Sequence, residues 1–287
     1  MTTEIVRLAG AIGAEIRGLD LSRELSEYDR SLIQSAWMRH LVLVFRGQKL
    51  SDAALVRFSA RFGELDTVPG WEPFSPEGYP QVLTVSNVID GNRAIGVLGD
   101  GEAAWHTDMS YLDLPPTASL LHSHEVPESG GDTLFMNMYA ALETLPADLR
   151  RAIDGRILNH DASHDSSGTL RGNHKPFADI SEAPGARHPM IRIHPVTGRP
   201  ALFLGRRLHA WIVGESVADS DALLDRLWAH CSSGDFVYRH RWAPGDLLMW
   251  DNRCTMHRRE PFDPAARRVM HRTQVKGFEP VVAARAA

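Results

Sequence analysis

Trp105-His106-Thr107-Asp108 is the segment whose residue types and spacing point most directly to chemistry. On an extended strand, residues i and i+2 face the same side. His106 and Asp108 can then offer an imidazole nitrogen and a carboxylate oxygen to one ion. A third ligand has to come from elsewhere, and Asp251-Asn252-Arg253-Cys254-Thr255-Met256-His257, following an apolar run, supplies His257. Two histidines and one carboxylate on one face of an octahedron make the facial triad of non-haem Fe(II) sites, which leaves three positions for O2 and a co-substrate. The triplet alone is weak evidence, since a chain with 14 histidines yields about one such triplet by chance. A surface histidine beside a turn aspartate explains it equally well. Zinc on the same three ligands, activating water as in a hydrolase, is the competing chemistry, as is a metal site with no oxidative role.

These residues need elements to position them. Residues 5–20 carry apolar or small residues at every second position and read as strands, and residues 27–39 have helical spacing. Leu41–Phe45 is a short buried strand, and Ser51 caps a helix whose apolar face is Leu55, Phe58 and Phe62. Val82–Val85, Ala118–His124, Met190–His194, Ala201–Leu204, Phe236–Trp242, Leu247–Trp250 and Val269–Val275 read as short strands separated by turn signals, with one helix over Asp219–Cys231. Residues 160–188 are polar and weakly periodic, which suggests a mobile loop or a lid. Many short strands with helices at the start predict a mainly β chain with helices (α+β). The expected form is a double-stranded β-helix, or jelly roll, flanked by helices, in one domain over residues 1–287.

Other chemistries lack their anchors. The chain has no GxxxxGK[ST], HExxH or GxSxG motif. Gly99-Asp100-Gly101-Glu102-Ala103-Ala104 fits a relaxed dinucleotide pattern but runs into Trp-His-Thr-Asp, so it reads as a loop. The two cysteines, Cys231 and Cys254, form no CxxC pair, and Cys254 is expected to be a buried thiol. A net charge of −5 argues against a broad nucleic-acid surface. No apolar run has the length of a membrane span and the N-terminus has no secretory pattern, so a cytoplasmic protein off the membrane is expected.

Longer blocks are more specific than the triplet. Ile12–Leu21, Val44–Gln48, Trp105–Asp108, Gly130–Thr133, His194–Gly198, Trp250–Arg253 with His257, and Arg267–Arg272 occur in an order that resembles one family over nearly the whole chain. That family is the taurine dioxygenase and phenoxyacetate-herbicide dioxygenase group of Fe(II)/2-oxoglutarate-dependent oxygenases. The resemblance implies that His106, Asp108 and His257 ligate Fe(II). It implies that Thr133 and Arg268 hold the distal carboxylate of the co-substrate 2-oxoglutarate, a role suited to a guanidinium. It also implies that Arg272 binds an acidic group of the substrate, with Arg268 and Arg272 on one face of a strand.

The implied reaction hydroxylates a small organic anion (a carboxylate, sulfonate or aryloxy acid) and converts 2-oxoglutarate and O2 to succinate and CO2. The polar residues that contact taurine in the taurine enzyme fall near Val68, Trp71 and Glu102 here, so those contacts are missing or changed. Val68, Trp71 and Tyr111 are expected to form an apolar wall, and Glu102 reads either as a solvated loop residue or as a partner for a cationic group of the substrate. A homo-oligomer is the expected assembly. Trp105 and Trp250 read as packing residues, and His122, His124 and His271 as core residues or hydrogen-bonding residues near the ligands.

Overall fold

The computed structural model describes residues 3–67, 71–98, 103–165, 168–172, 174–233 and 236–284. Val68, Glu102 and residues 99–101 of the glycine-rich loop lie outside the described residues. Strands dominate, with a few helices. The larger sheet has eight strands in the order Glu4–Arg7, Ala14–Arg17, Val42–Phe45, Leu247–Asp251, Ala118–Glu125, Val269–Val275, Leu83–Ser86 and Val97–Leu98. Its neighbours are antiparallel except where Ala14–Arg17 meets Val42–Phe45 and where Leu83–Ser86 meets Val97–Leu98. The smaller sheet has four strands, Val237–His240, Thr133–Asn137, Thr255–Arg259 and Ala103–His106, all antiparallel.

The centre of the larger sheet is buried on both faces, which explains why Val42-Leu43-Val44-Phe45 is apolar at every position rather than alternating. Val42 and Val44 share one core with Leu121, Leu248 and Met270 and with Phe135 and Met136 of the smaller sheet. The Phe135 ring meets Trp250 across the two sheets at 5.4 Å. Leu43 and Phe45 point the other way and pack with Trp37 and Phe58 of the helices Glu27–His40 and Asp52–Ser59. Each such buried side chain contributes roughly 1.5–3 kcal/mol. Ser26 and Ser51 cap these helices through their hydroxyls, as expected for Ser51.

Several expectations shift. The strands Thr133–Asn137 and Thr255–Arg259 were not foreseen, yet they carry Thr133 and His257. The first is apolar on both faces and the second is Thr-Met-His-Arg-Arg, so neither shows period-2 alternation. Two short helices, Met138–Glu143 and Ala147–Ile153, were also missed. The 160–188 stretch is anchored at its start, with His160, Asp161 and Ser163 buried. Arg206 donates to the carbonyls of Asp161 and His164, at 3.0 and 2.9 Å. Among the described residues no helix is long and apolar enough to cross a membrane.

Candidate active site

His106 ends the strand Ala103–His106, directly opposite His257 on Thr255–Arg259. Their rings lie 4.3 Å apart between centroids. Asp108 is not on the strand: the chain leaves it after His106 and turns, with Met109 at φ +46°. Thr107 holds this exit in place. Its N–H donates to the Gly205 carbonyl at 2.9 Å and its hydroxyl to the Thr255 carbonyl at 3.1 Å. The turn therefore delivers Asp108 to the position that strand alternation was expected to supply. Asp108 Oδ1 stands 3.7 Å from His106 Nε2 and 3.9 Å from His257 Nε2. One ligand atom from each of the three residues falls within 4.8 Å of the others.

The donor set fits a divalent metal. His106 Nδ1 lies 2.8 Å from the Ala104 carbonyl and donates to it, which leaves the Nε2 lone pair facing inward. Burial, reinforced by His106 and Arg272, lowers His257 to about 3, so its imidazole is neutral. Burial raises the Asp108 carboxyl, but His257, Arg272 and His106 outweigh it and hold the group well below the usual carboxylate range. A neutral imidazole at His257 and an ionised carboxylate at Asp108 are protonation states that ligation needs. The Trp250 ring packs 4.9 Å from His257, in keeping with its expected packing role. Trp105 lies under the Arg258 guanidinium at 5.5 Å.

The turn depends on Gly205, which has φ +62°. A Cβ there would stand 2.0 Å from His160 Nδ1 and 2.7 Å from Ser110 Oγ. Gly205→Ala is expected to cost about 2–5 kcal/mol through strain and overpacking and to loosen the Asp108 turn. Chemical denaturation reads the loss, and a change below about 0.5 kcal/mol would show that the close packing of His160 on Gly205 is dispensable.

Arg268 and Arg272 are both buried. Arg268 lies one residue before the strand Val269–Val275, so only Arg272 is on the strand proper. The Arg268 side chain runs against Gly131, two residues before Thr133, at 3.6 Å from a Cβ built there. Its Nε has no hydrogen-bond partner among the described residues. Burial, with help from Arg259, brings Arg268 down to about 9, still charged at neutral pH. Thr133 is buried and its hydroxyl accepts from Trp242 Nε1 at 3.0 Å. Arg272 reaches the metal site, with Nη1 3.5 Å from Asp108 Oδ1. Its guanidinium also lies 5.8 Å above the Trp71 ring. The two residues line a small cleft with Asp66, Gln81, Leu83 and Gln274. Tyr111 pairs instead with Arg171, which sits 4.3 Å over its ring.

His122, His124 and His271 are not beside the ligands. His271 alternates with Arg272 and so faces the opposite side of the sheet, where its Nδ1 bonds Asp52 at 2.6 Å. His122 bonds the Gln48 carbonyl, and His124 is exposed. Cys254 is a buried thiol pushed well up by burial and by Asp251, as expected. Beside it, His194, Asp251 and Arg253 form a closed network in which Arg253 takes both Asp251 oxygens. This network leaves no free donor atom on Asp251 for a metal. Ser119 donates to Asp108 and accepts from Asn252 and Gln274, and none of the three was given a role from sequence, although Gln274 is in phase with Arg272.

Comparison with known proteins supports the same grouping. The family model described as taurine catabolism dioxygenase TauD, TfdA family matches residues 4–274. An alpha-ketoglutarate-dependent sulfate ester dioxygenase of Pseudomonas putida is 35% identical over 287 residues, covering 96% of this chain and 89% of the relative. An alpha-ketoglutarate-dependent 2,4-dichlorophenoxyacetate dioxygenase of Cupriavidus pinatubonensis is 36% identical over 272 residues, covering 90% of this chain and 92% of the relative. The crystal structure of AAD-2 in complex with Mn(II) and N-oxalylglycine superposes with a TM-score of 0.80 at 31% identity, covering 98% of this chain and 100% of that one. With a family match over residues 4–274 and relatives aligned over nine-tenths or more of its length, the chain belongs to the TauD, TfdA family and is a dioxygenase.

Proposed function

We propose that the chain is an Fe(II)/2-oxoglutarate-dependent dioxygenase that hydroxylates a small organic anion. The observation that carries this reading is the convergence of three ligand atoms within 4.8 Å, with Arg272 3.5 Å from Asp108 and a second buried arginine, Arg268, four residues before it; the Nε of each has no hydrogen-bond partner among the described residues. A zinc hydrolase has no use for a second buried guanidinium, and it gains no support from the family match. The paired sheets are read as one double-stranded β-helix domain spanning residues 1–287, in a cytoplasmic homo-oligomer.

His106, Asp108 and His257 hold the metal. Fe(II), when bound, supplies activation of O2 and oxidation of a substrate C–H bond, coupled to conversion of 2-oxoglutarate to succinate and CO2. Arg268 and Thr133 hold the far carboxylate of 2-oxoglutarate; the AAD-2 structure, solved with a divalent metal and N-oxalylglycine, a diacid, supports that pairing. Arg268 fits because it is buried and its Nε has no hydrogen-bond partner among the described residues, so a carboxylate there supplies a charge-assisted pair. Arg272 docks the acidic group of the substrate, and the Trp71 face lies along its apolar body. Relatives named for a sulfate ester and for 2,4-dichlorophenoxyacetate support an anion with an apolar body.

The test measures substrate-dependent succinate release across sulfonates, aryloxy acids, alkyl sulfates and amino acid derivatives. Aryl or alkyl acids are expected to outperform taurine. Arg272→Gln is expected to raise the substrate KM about 10- to 100-fold by removing a charge-assisted contact, with little change in the 2-oxoglutarate requirement. Taurine as the best substrate, or an unchanged KM in Arg272→Gln, would remove Arg272 from the substrate pocket.

A further inference from the structure

Asp108 has two oxygens in unlike surroundings. Oδ1 faces His106 and His257, and Oδ2 is 2.6 Å from the Ser119 hydroxyl. Ser119 lies on the central strand Ala118–Glu125, opposite Trp250 on one side and Gln274 on the other, and it is fully buried. Its Oγ has three polar neighbours: Asp108 Oδ2, Asn252 Nδ2 at 2.9 Å and Gln274 Nε2 at 3.1 Å. A hydroxyl can accept twice and donate once.

The direction of each bond follows from chemistry. An indole N–H can only donate. Trp250 Nε1 lies 3.0 Å from Asn252 Oδ1, so the Asn252 amide must turn its oxygen to Trp250 and its NH2 to Ser119. Gln274 NH2 fills the second lone pair of the Ser119 oxygen. With both lone pairs taken, the hydroxyl proton has only Asp108 Oδ2 left to meet.

Resting on the reading of Asp108 as a metal ligand, we propose that Ser119 is a positioning residue that keeps Asp108 a one-oxygen ligand, with its hydroxyl aimed by Trp250, Asn252 and Gln274. The hydroxyl occupies Oδ2, so only Oδ1 is presented to the metal. A carboxylate free to bind through both oxygens would take a fourth position and leave two of six open instead of three. Trp250 thus contributes to the site twice: its ring packs on His257, and its N–H sets the start of the chain of hydrogen bonds that ends on Asp108.

The test titrates the full chain with Co(II), following affinity and the visible d–d bands, whose intensity and position report coordination. Ser119→Ala is expected to weaken Co(II) binding about 10- to 100-fold and to change the bands. Asn252→Asp replaces the donor to Ser119 with an acceptor and draws the hydroxyl away from Asp108. Added negative charge alone would tighten cation binding, whereas the aimed hydroxyl predicts weaker binding. In a Ser119→Ala background, Asn252→Asp should cause no further loss. If Asn252→Asp gives no cooperative melt, Gln274→Glu applies the same reversal from the other strand. An affinity within about twofold of wild type in Ser119→Ala with unchanged bands, or tighter binding in either reversal variant, would overturn the proposal. Asp108→Ala separates the two levels: if it binds Co(II) as wild type does, the ligand assignment fails rather than the aiming of Ser119.

Discussion

His257→Ala is expected to lose metal binding and nearly all turnover while the chain stays folded. The residue is one of the three proposed protein ligands, and its ring sits between Trp250 and Phe135 at 4.9 and 6.0 Å, with no partner for Nδ1 among the described residues. A neutral, half-buried imidazole with one nitrogen directed at a carboxylate 3.9 Å away contributes little to folding beyond packing. Its removal costs roughly 2–4 kcal/mol of stability by cavity formation, within what a chain of this size tolerates. The loss at the metal is far larger, because two ligands cannot hold Fe(II) against water in a site built for three. Metal content after dialysis and succinate release under limiting iron measure the two effects. Wild-type turnover in His257→Ala would show that the triad is misassigned.

Arg268→Ala is expected to raise the 2-oxoglutarate requirement by tens- to thousands-fold, about 2–5 kcal/mol. Burial makes the difference: an exposed arginine would lose under about 1 kcal/mol from the same change. Arg268 is only 3% exposed, and its Nε makes no hydrogen bond within the described protein. In the variant the co-substrate carboxylate enters a dry site without its counter-charge. Arg268→Lys should recover part of the loss, since it keeps a charge but not the two-pronged geometry. The readout is the 2-oxoglutarate dependence of succinate release at saturating substrate. An unchanged dependence would exclude Arg268 from holding the co-substrate.

What the sequence revealed and what it hid have physical causes. Elements marked by an apolar run bounded by turn residues or by helical spacing after a cap were legible: Leu247–Asp251 follows Pro244-Gly245-Asp246, and the helices at residues 27 and 52 lie where their patterns place them. Thr255–Arg259 was hidden because functional residues occupy the positions where apolar alternation would appear. The three residues that converge in the candidate site, His106, Asp108 and His257, were legible as types and spacing. Their delivery was not: Asp108 arrives through a turn held by Thr107 and Gly205, and the Thr107–Gly205 bond joins residues almost a hundred positions apart. The surroundings of Asp108 were hidden for the same reason, since Ser119, Asn252 and Gln274 come from three segments that only sheet pairing brings together. His271 was misplaced because one residue of phase on a strand decides between the metal side and the helix side, and Arg272 takes the former.

The central claim is that this site binds Fe(II) and a 2-oxo acid together, and an anaerobic titration tests it most directly. Fe(II) and then 2-oxoglutarate are added to the protein, and the visible spectrum is followed for the weak metal-to-ligand charge-transfer band of a keto acid chelated to Fe(II). The account predicts a saturable band in the wild type, its loss in His257→Ala, and its appearance only at much higher 2-oxoglutarate in Arg268→Ala. A wild-type protein that binds the metal yet develops no band at any 2-oxoglutarate concentration would contradict the account.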